Sequence, residues 1–521
     1  MFDERSRREF LADVGRGMLL ATVGTSVAAE LGLASVAAAA SESPPALSFG
    51  ALEPLVCVMQ ETPLDQFLPR LVHELRAGRS LAELVSAAAL ANARTFGGED
   101  YVGFHTMMAL APAWHMSREL PADSQALPVC KVLYRNTARI QAVGGRAKEV
   151  LRVVVPSSIP PGQNEGEFIR SLVRAKECQP AEQALAGLAS HSPDDAFNAL
   201  LCAIQDTSEV HRVVMPYRAW DLLGVLGKEH ATTLLRQSIH YCVKEEAGTH
   251  GAWETPRTLL PKLLEEHKLT DAAPGHRSAE SSWIDQLSQT IFKSSPEAAS
   301  GAVAAALKEG FSVKDIGEAI SLAANQLVLR DHGRTPAEES TGKPPGSVHG
   351  DSIGVHACDS ANAWRNMALV SNARNSVACL IVGAYQAAFD RINRGGDFQN
   401  WEPLPVPRHL AEVTNIDAPS LLHEAEDAIK GNLQGRASAV VHRYGLLGHD
   451  PRPVFDLMLR YSVSEDGSLH SEKFYRTVSE EFAAGSPAFR WRHLVALARV
   501  TASEYGRPAA GVAEARQLFQ I

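Results

Sequence analysis

Two short phrases recur in this chain, and each carries an imidazole and a carboxylate. Asp100-Tyr101-Val102-Gly103-Phe104-His105 returns as Asp351-Ser352-Ile353-Gly354-Val355-His356. Tyr241-Cys242-Val243-Lys244-Glu245-Glu246, followed after three residues by His250, returns as Tyr461-Ser462-Val463-Ser464-Glu465-Asp466 with His470 at the same distance. Neutral imidazole and carboxylate form a hard-to-borderline donor set suited to Fe, Zn or Mn. Two histidines and one carboxylate make the facial arrangement of non-haem iron, and three such ligands with an open position also fit catalytic zinc. The metal candidates are therefore His105, His250, His356 and His470. Asp100, Asp351, Glu245 and Glu465 are the catalytic candidates, as ligands, imidazole orienters or proton carriers. Without a metal the same groups make acid/base pairs, because histidine beside a carboxylate titrates near neutrality. Structural roles compete: Asp caps helices, glycine supplies turns, and an acidic turn after a helix is commonly just solvated.

Spacing narrows the geometry. Five residues of continuous helix rotate by roughly 500°, which separates Asp from His around the axis. The intervening glycine points instead to a turn before a helix, with Asp100 and Asp351 in the loop and His105 and His356 on the first turns that follow. Neither a matched E-x-x-H pair nor H-E-x-x-H occurs, so spacing does not name the metal. There is no Walker or dinucleotide loop, and Gly-x-Ser-x-Gly is not present in a strand-to-helix context, which leaves nucleotide binding and serine-hydrolase chemistry without support. None of the seven cysteines is in C-x-x-C spacing, excluding a ribbon zinc site, a thioredoxin motif and c-type haem attachment. Phe104, Trp114, Trp220, Trp253 and Trp364 could wall an apolar pocket, although such aromatics are more often core. His211 and His442 share a loose Val-His-Arg string and carry less weight, because their distances from the second phrase differ.

The elements that must position these groups are helices. Apolar residues recur at three- and four-residue spacing over 64–77, 81–93, 181–189, 195–205, 217–227, 231–243, 298–308, 313–329 and 372–389. Ser80 with Glu83, and Ser312 with Asp315, resemble capping boxes. The fold class is all-α, with two internally duplicated helical units, 60–265 and 290–490, packed with pseudo-twofold symmetry. A signal segment (1–40) precedes them and a helical tail (491–521) follows. The second unit carries an insertion, 332–349, rich in Gly, Pro, Ser and Thr, which leads into Asp351 and is placed to line the site as a lid.

The whole chain has 521 residues, 45% hydrophobic, with a formal net charge of −10. An acidic balance gives no surplus to neutralise phosphates, so a nucleic-acid partner is not expected. Ser6-Arg7-Arg8-Glu9-Phe10-Leu11, a modest apolar stretch and an Ala-x-Ala site at 38–40 resemble a twin-arginine export signal. That resemblance implies a bacterial protein that uses the twin-arginine translocase and works in the periplasm. Contact with the membrane would come only through the N-terminal segment, if uncleaved.

Residues 354–366 (Gly354-Val355-His356 to Trp364-Arg365-Asn366) and Ala384-Tyr385-Gln386-Ala387-Ala388 resemble the helical questin oxidase-like proteins, as does the stretch from Phe104-His105-Thr106 to Trp114. The resemblance covers about 80 residues. It implies an all-α oxidative enzyme with histidine-lined pockets. The leading expectation is an exported metal-dependent enzyme, an oxidoreductase acting on a small molecule. A non-catalytic helical binding or scaffold protein and a metal-free acid/base enzyme stand beside it.

Overall fold

The computed structural model describes residues 44–248, 251–393 and 395–521. The expected signal segment (1–40) and His250 lie outside the described residues. The described chain is all-α: 23 α-helices, with only isolated bridges and no strand among these residues. Residues Leu47–Ile521 form one compact unit. Among these residues no helix is long and apolar enough to cross a membrane.

Eleven helices build and brace the interior. They are α1 (Leu81–Phe96), α2 (Tyr101–Ser117), α3 (Ala126–Ala142), α4 (Val210–Leu226), α5 (Ala231–Glu245), α6 (Val313–Arg330), α7 (Ile353–Val370), α8 (Ala373–Asn393), α9 (Arg452–Ser464), α10 (His470–Ala484) and α11 (Trp491–Glu504). Local chemistry sets their starts. Ser80 and Glu83 form the expected capping box on α1, and Gly97 ends that helix in the left-handed region. Ser312 caps α6 through the Asp315 N–H, but the Asp315 carboxylate accepts from the Ala279 N–H instead of closing a box. The 491–504 part of the expected tail is α11, nearly all of it buried.

α2 and α7 are the central rods. Their small and apolar residues are buried around most of the circumference, the pattern of a helix enclosed on every side. α4 and α10 each pack against both of them, so the four make a closed ring of contacts. α1 and α3 brace α2, α6 and α8 brace α7, and α11 backs α10. Buried ion pairs pin α10 in place. Lys131 of α3 meets Glu472 at 2.6 Å, and Arg365 of α7 meets Glu481 at 2.8 Å. Removing one partner of such a pair strands a buried charge, at about 3–5 kcal/mol.

The phrase glycines do not make turns. Gly103 and Gly354 lie inside α2 and α7 and are absent from the left-handed residues. Their role is close approach. A Cβ on Gly103 would come 2.5 Å from the Phe96 ring, and one on Gly354 would come 2.6 Å from the Val328 backbone nitrogen. Glycine lets α2 settle on the end of α1, and α7 on α6.

Candidate functional site

Four imidazoles meet where the first turns of α2, α4, α7 and α10 come together. His105 is the fifth residue of α2, His211 the second of α4, His356 the fourth of α7 and His470 the first of α10. The rings form a circuit. Centroids are 4.7 Å apart for His105–His211, 5.6 Å for His211–His356, 5.2 Å for His356–His470 and 5.2 Å for His105–His470. Nε2 faces Nε2 at 3.2 Å between His105 and His211, and at 3.1 Å between His356 and His470. His105, His356 and His470 are buried.

The other ring nitrogen fixes the tautomer in three of the four. His105 Nδ1 lies 2.7 Å from the Tyr101 carbonyl oxygen, and His470 Nδ1 lies 3.0 Å from the Ser468 carbonyl oxygen. His211 Nδ1 lies 2.7 Å from Glu209 Oε1. Carbonyls and carboxylates only accept, so each Nδ1 carries the proton and a neutral ring is left with a bare lone pair on Nε2. Thus the bare Nε2 atoms of His105 and His211 point at each other. That contact repels unless a proton or a cation lies between them.

A proton on His105 or on His470 is disfavoured. Burial pushes the His105 and His470 pKa values well below the ordinary histidine range, and the neighbouring Lys473 and the other imidazoles push the same way. Four helix N-termini add partial positive charge at this end. Lys473 lies one turn beyond His470 on α10 and is itself buried; desolvation lowers its amine to about 8. Glu209 goes the other way. Burial raises its carboxyl, but His211, the Arg212 N–H and the Tyr241 hydroxyl together outweigh burial and bring it down to about 2. It caps α4 through the Arg212 N–H and accepts from Tyr241 Oη at 2.8 Å.

The sequence-chosen residues divide. The structure brings His105, His356 and His470 together and adds His211. Asp100 caps α2 through the Gly103 N–H at 2.8 Å and accepts Arg139 Nε at 2.9 Å. Burial raises its pKa, but Arg139 and the cap outweigh it and the net shift is downward. Asp351 pairs with Arg334 at 2.5 Å and Lys343 at 2.8 Å. Glu465 accepts the backbone N–H groups of Gly506 and Arg507 and so fastens the chain beyond α11. Glu245 ends α5, part-exposed, beside the buried Glu246 that pairs with Arg212 and Arg257. Of the five aromatics, Phe104 lies against His105 and His211, at 5.0 Å from each. Trp220 stacks on Phe197, Trp253 meets Phe389, and Trp364 donates to Gln386.

The insertion lines a cavity of 390 Å³, and none of the four imidazoles is among its lining residues. Its wall includes Arg334, Thr335, Asp351, Ile353, Phe398 and Trp401. Ile353 sits one helical turn before His356, on the same side of α7.

Among the described residues no group of three or more His, Cys, Asp or Glu side chains has its donors converged for a metal ion. The imidazoles close as two pairs rather than on one point. Two functional groups escaped the sequence: His211, whose only signal was the Val-His-Arg string, and Lys473, three residues after His470. No protein-family model matches this chain, and no curated protein or solved structure is significantly similar to it.

Proposed function

We propose that this protein is an exported, metal-dependent enzyme, an oxidoreductase acting on a small molecule, with His105, His211, His356 and His470 as its metal ligands. One observation carries the reading: the Nε2 atoms of His105 and His211 face each other at 3.2 Å while a carbonyl and a carboxylate already accept their Nδ1 protons. A cation satisfies such nitrogens, whereas burial and Lys473 disfavour a proton on His105 or His470. Imidazoles sharing one ion at a nitrogen distance of about 2.1 Å stand with centroids roughly 5 Å apart; these rings stand 4.7–5.6 Å apart, and binding would require their Nε2 atoms to turn from two pairs toward one point. Orientation of ligand histidines by carbonyl and carboxylate acceptors is the usual outer arrangement of metal sites.

All-nitrogen coordination suits Fe, Zn or Mn, and the resemblance to questin oxidase-like proteins favours a redox metal. Bound there, it would supply Lewis-acid or one-electron chemistry. The chain's own part is to hold the rings, keep them unprotonated and exclude water with Phe104 and Tyr241. Glu209 orients His211, and Lys473 adds a buried amine near its neutral range. A substrate would enter through the cavity beside Ile353. Elemental analysis of untagged protein tests the reading: about one equivalent of metal is expected, lost in His105→Ala/His356→Ala and in His211→Ala. Substoichiometric metal unchanged by those variants would overturn it.

The Glu209–His211 pair also favours a metal-free acid/base enzyme, since a carboxylate-oriented imidazole is a general base in form. Activity that survives complete metal removal would select that reading.

A further inference from the structure

Glu504 ends α11 with its carboxyl buried, and it reaches the turn that precedes His470. Ser471 Oγ donates to Glu504 Oε1 at 2.5 Å and accepts from the Gly467 N–H at 3.1 Å. A Cβ on Gly467 would collide with the same carboxyl, so Glu504 packs directly on this backbone. Between Gly467 and His470 lie Ser468 and Leu469, at φ 55° and 67°. Two consecutive side-chain-bearing residues in the left-handed region are strained, and such strain persists only when the surroundings over-determine it. The turn aims the imidazole, because the Ser468 carbonyl accepts the His470 Nδ1 proton. Asp466 helps by accepting the Ser468 N–H at 2.9 Å. Burial holds the Glu504 carboxyl up at about 8, despite Lys131 and Ser471, so it sits there as a neutral acid beside Glu472 and Asp466.

We propose that Glu504 is a positioning residue for His470: acting through Ser471, it locks the strained Gly467-Ser468-Leu469 turn and so fixes the imidazole opposite His356. The proposal rests on His470 being a ligand, as in the function above, but its structural half can be read without metal.

The test compares Glu504→Ala, Glu504→Gln and Ser471→Ala with the parent full-length chain, by amide hydrogen exchange over 465–472 and by Co²⁺ titration followed in the visible spectrum. Glu504→Ala and Ser471→Ala are expected to speed exchange in the turn and to weaken Co²⁺ binding by about 10–100-fold, the usual range for an outer-sphere partner. Glu504→Gln keeps the oxygen that accepts from Ser471 and is expected to match the parent in both. A folded Glu504→Ala protein with parental protection of the turn would overturn the proposal. So would equal losses in Glu504→Gln and Glu504→Ala. If Glu504→Ala fails to fold, the smaller Ser471→Ala change decides by the same criteria. Should the parent bind no Co²⁺, the metal reading fails, while the exchange result still decides the positioning role.

Discussion

Glu209 holds His211 while capping the helix that carries it. One carboxylate accepts from His211 Nδ1, the Arg212 N–H and the Tyr241 hydroxyl. Glu209→Gln is expected to keep the cap oxygen but lose the charge that pins the imidazole tautomer. Co²⁺ affinity should fall by about 10–100-fold, and titration against the parent protein checks it. Asp100 provides the contrast. Its work is a cap and an Arg139 pair, so Asp100→Asn should cost about 1 kcal/mol in thermal or denaturant unfolding and leave metal content unchanged. Metal loss in that variant would return Asp100 to the ligand set. The doubled phrases therefore mix two kinds of residue: the imidazoles of His105, His356 and His470, which enter the cluster, and the carboxylates of Asp100, Asp351 and Glu465, which cap, pair or fasten loops.

At the scale of elements, the decisive contacts are those that let helices approach. Gly354 faces the backbone of α6, and no flexible side chain there can give way. Gly354→Ala should push α7 off α6, with a loss of about 1–3 kcal/mol typical of overpacking. Because His356 is only two residues further on, metal affinity should fall in the same variant; parental Tm and affinity together would contradict this account. The spacing of apolar residues marks one element short. It places a helix at 217–227, yet α4 begins at Val210 and runs through Pro216. A proline inside a helix is normally a boundary signal, and the seven residues hidden behind it include His211.

For the molecule as a whole, pH dependence follows from two opposed sets of buried groups. His105 and His470 are pushed below the usual histidine value, and desolvation lowers His349 and His493 to about 4. The unfolded chain therefore takes up protons first, and stability falls as pH drops from about 6.5. Glu504 works in reverse. Its folded value of about 8 lies above its unfolded 4.5, so its contribution is fully present below 4.5 and is lost as pH rises through 8. Metal-free protein should show its highest Tm near pH 6.5 to 7, and Glu504→Gln should flatten the decline from there to pH 8. Thermal unfolding across pH 4–9 checks both limbs; an unchanged alkaline limb in Glu504→Gln would remove Glu504 from this account.

The sequence alone determined the all-α class, nine helical stretches, and three of the four clustered histidines. Those depend on local causes: apolar periodicity, caps, and repeated phrases that place His105 and His356 in the first turns of their helices. Tertiary structure decided the rest. Only the closed packing of α2, α4, α7 and α10 brings His211 to His105 and His470 to His356, across separations of 106 and 114 residues. It likewise turned Asp100 toward Arg139, Asp351 toward Arg334 and Glu465 toward the Gly506 backbone, and set Glu209 beside His211 and Glu504 against the turn before His470. Which charge meets which imidazole depends on how whole helices dock, and chain-local patterns carry no record of that.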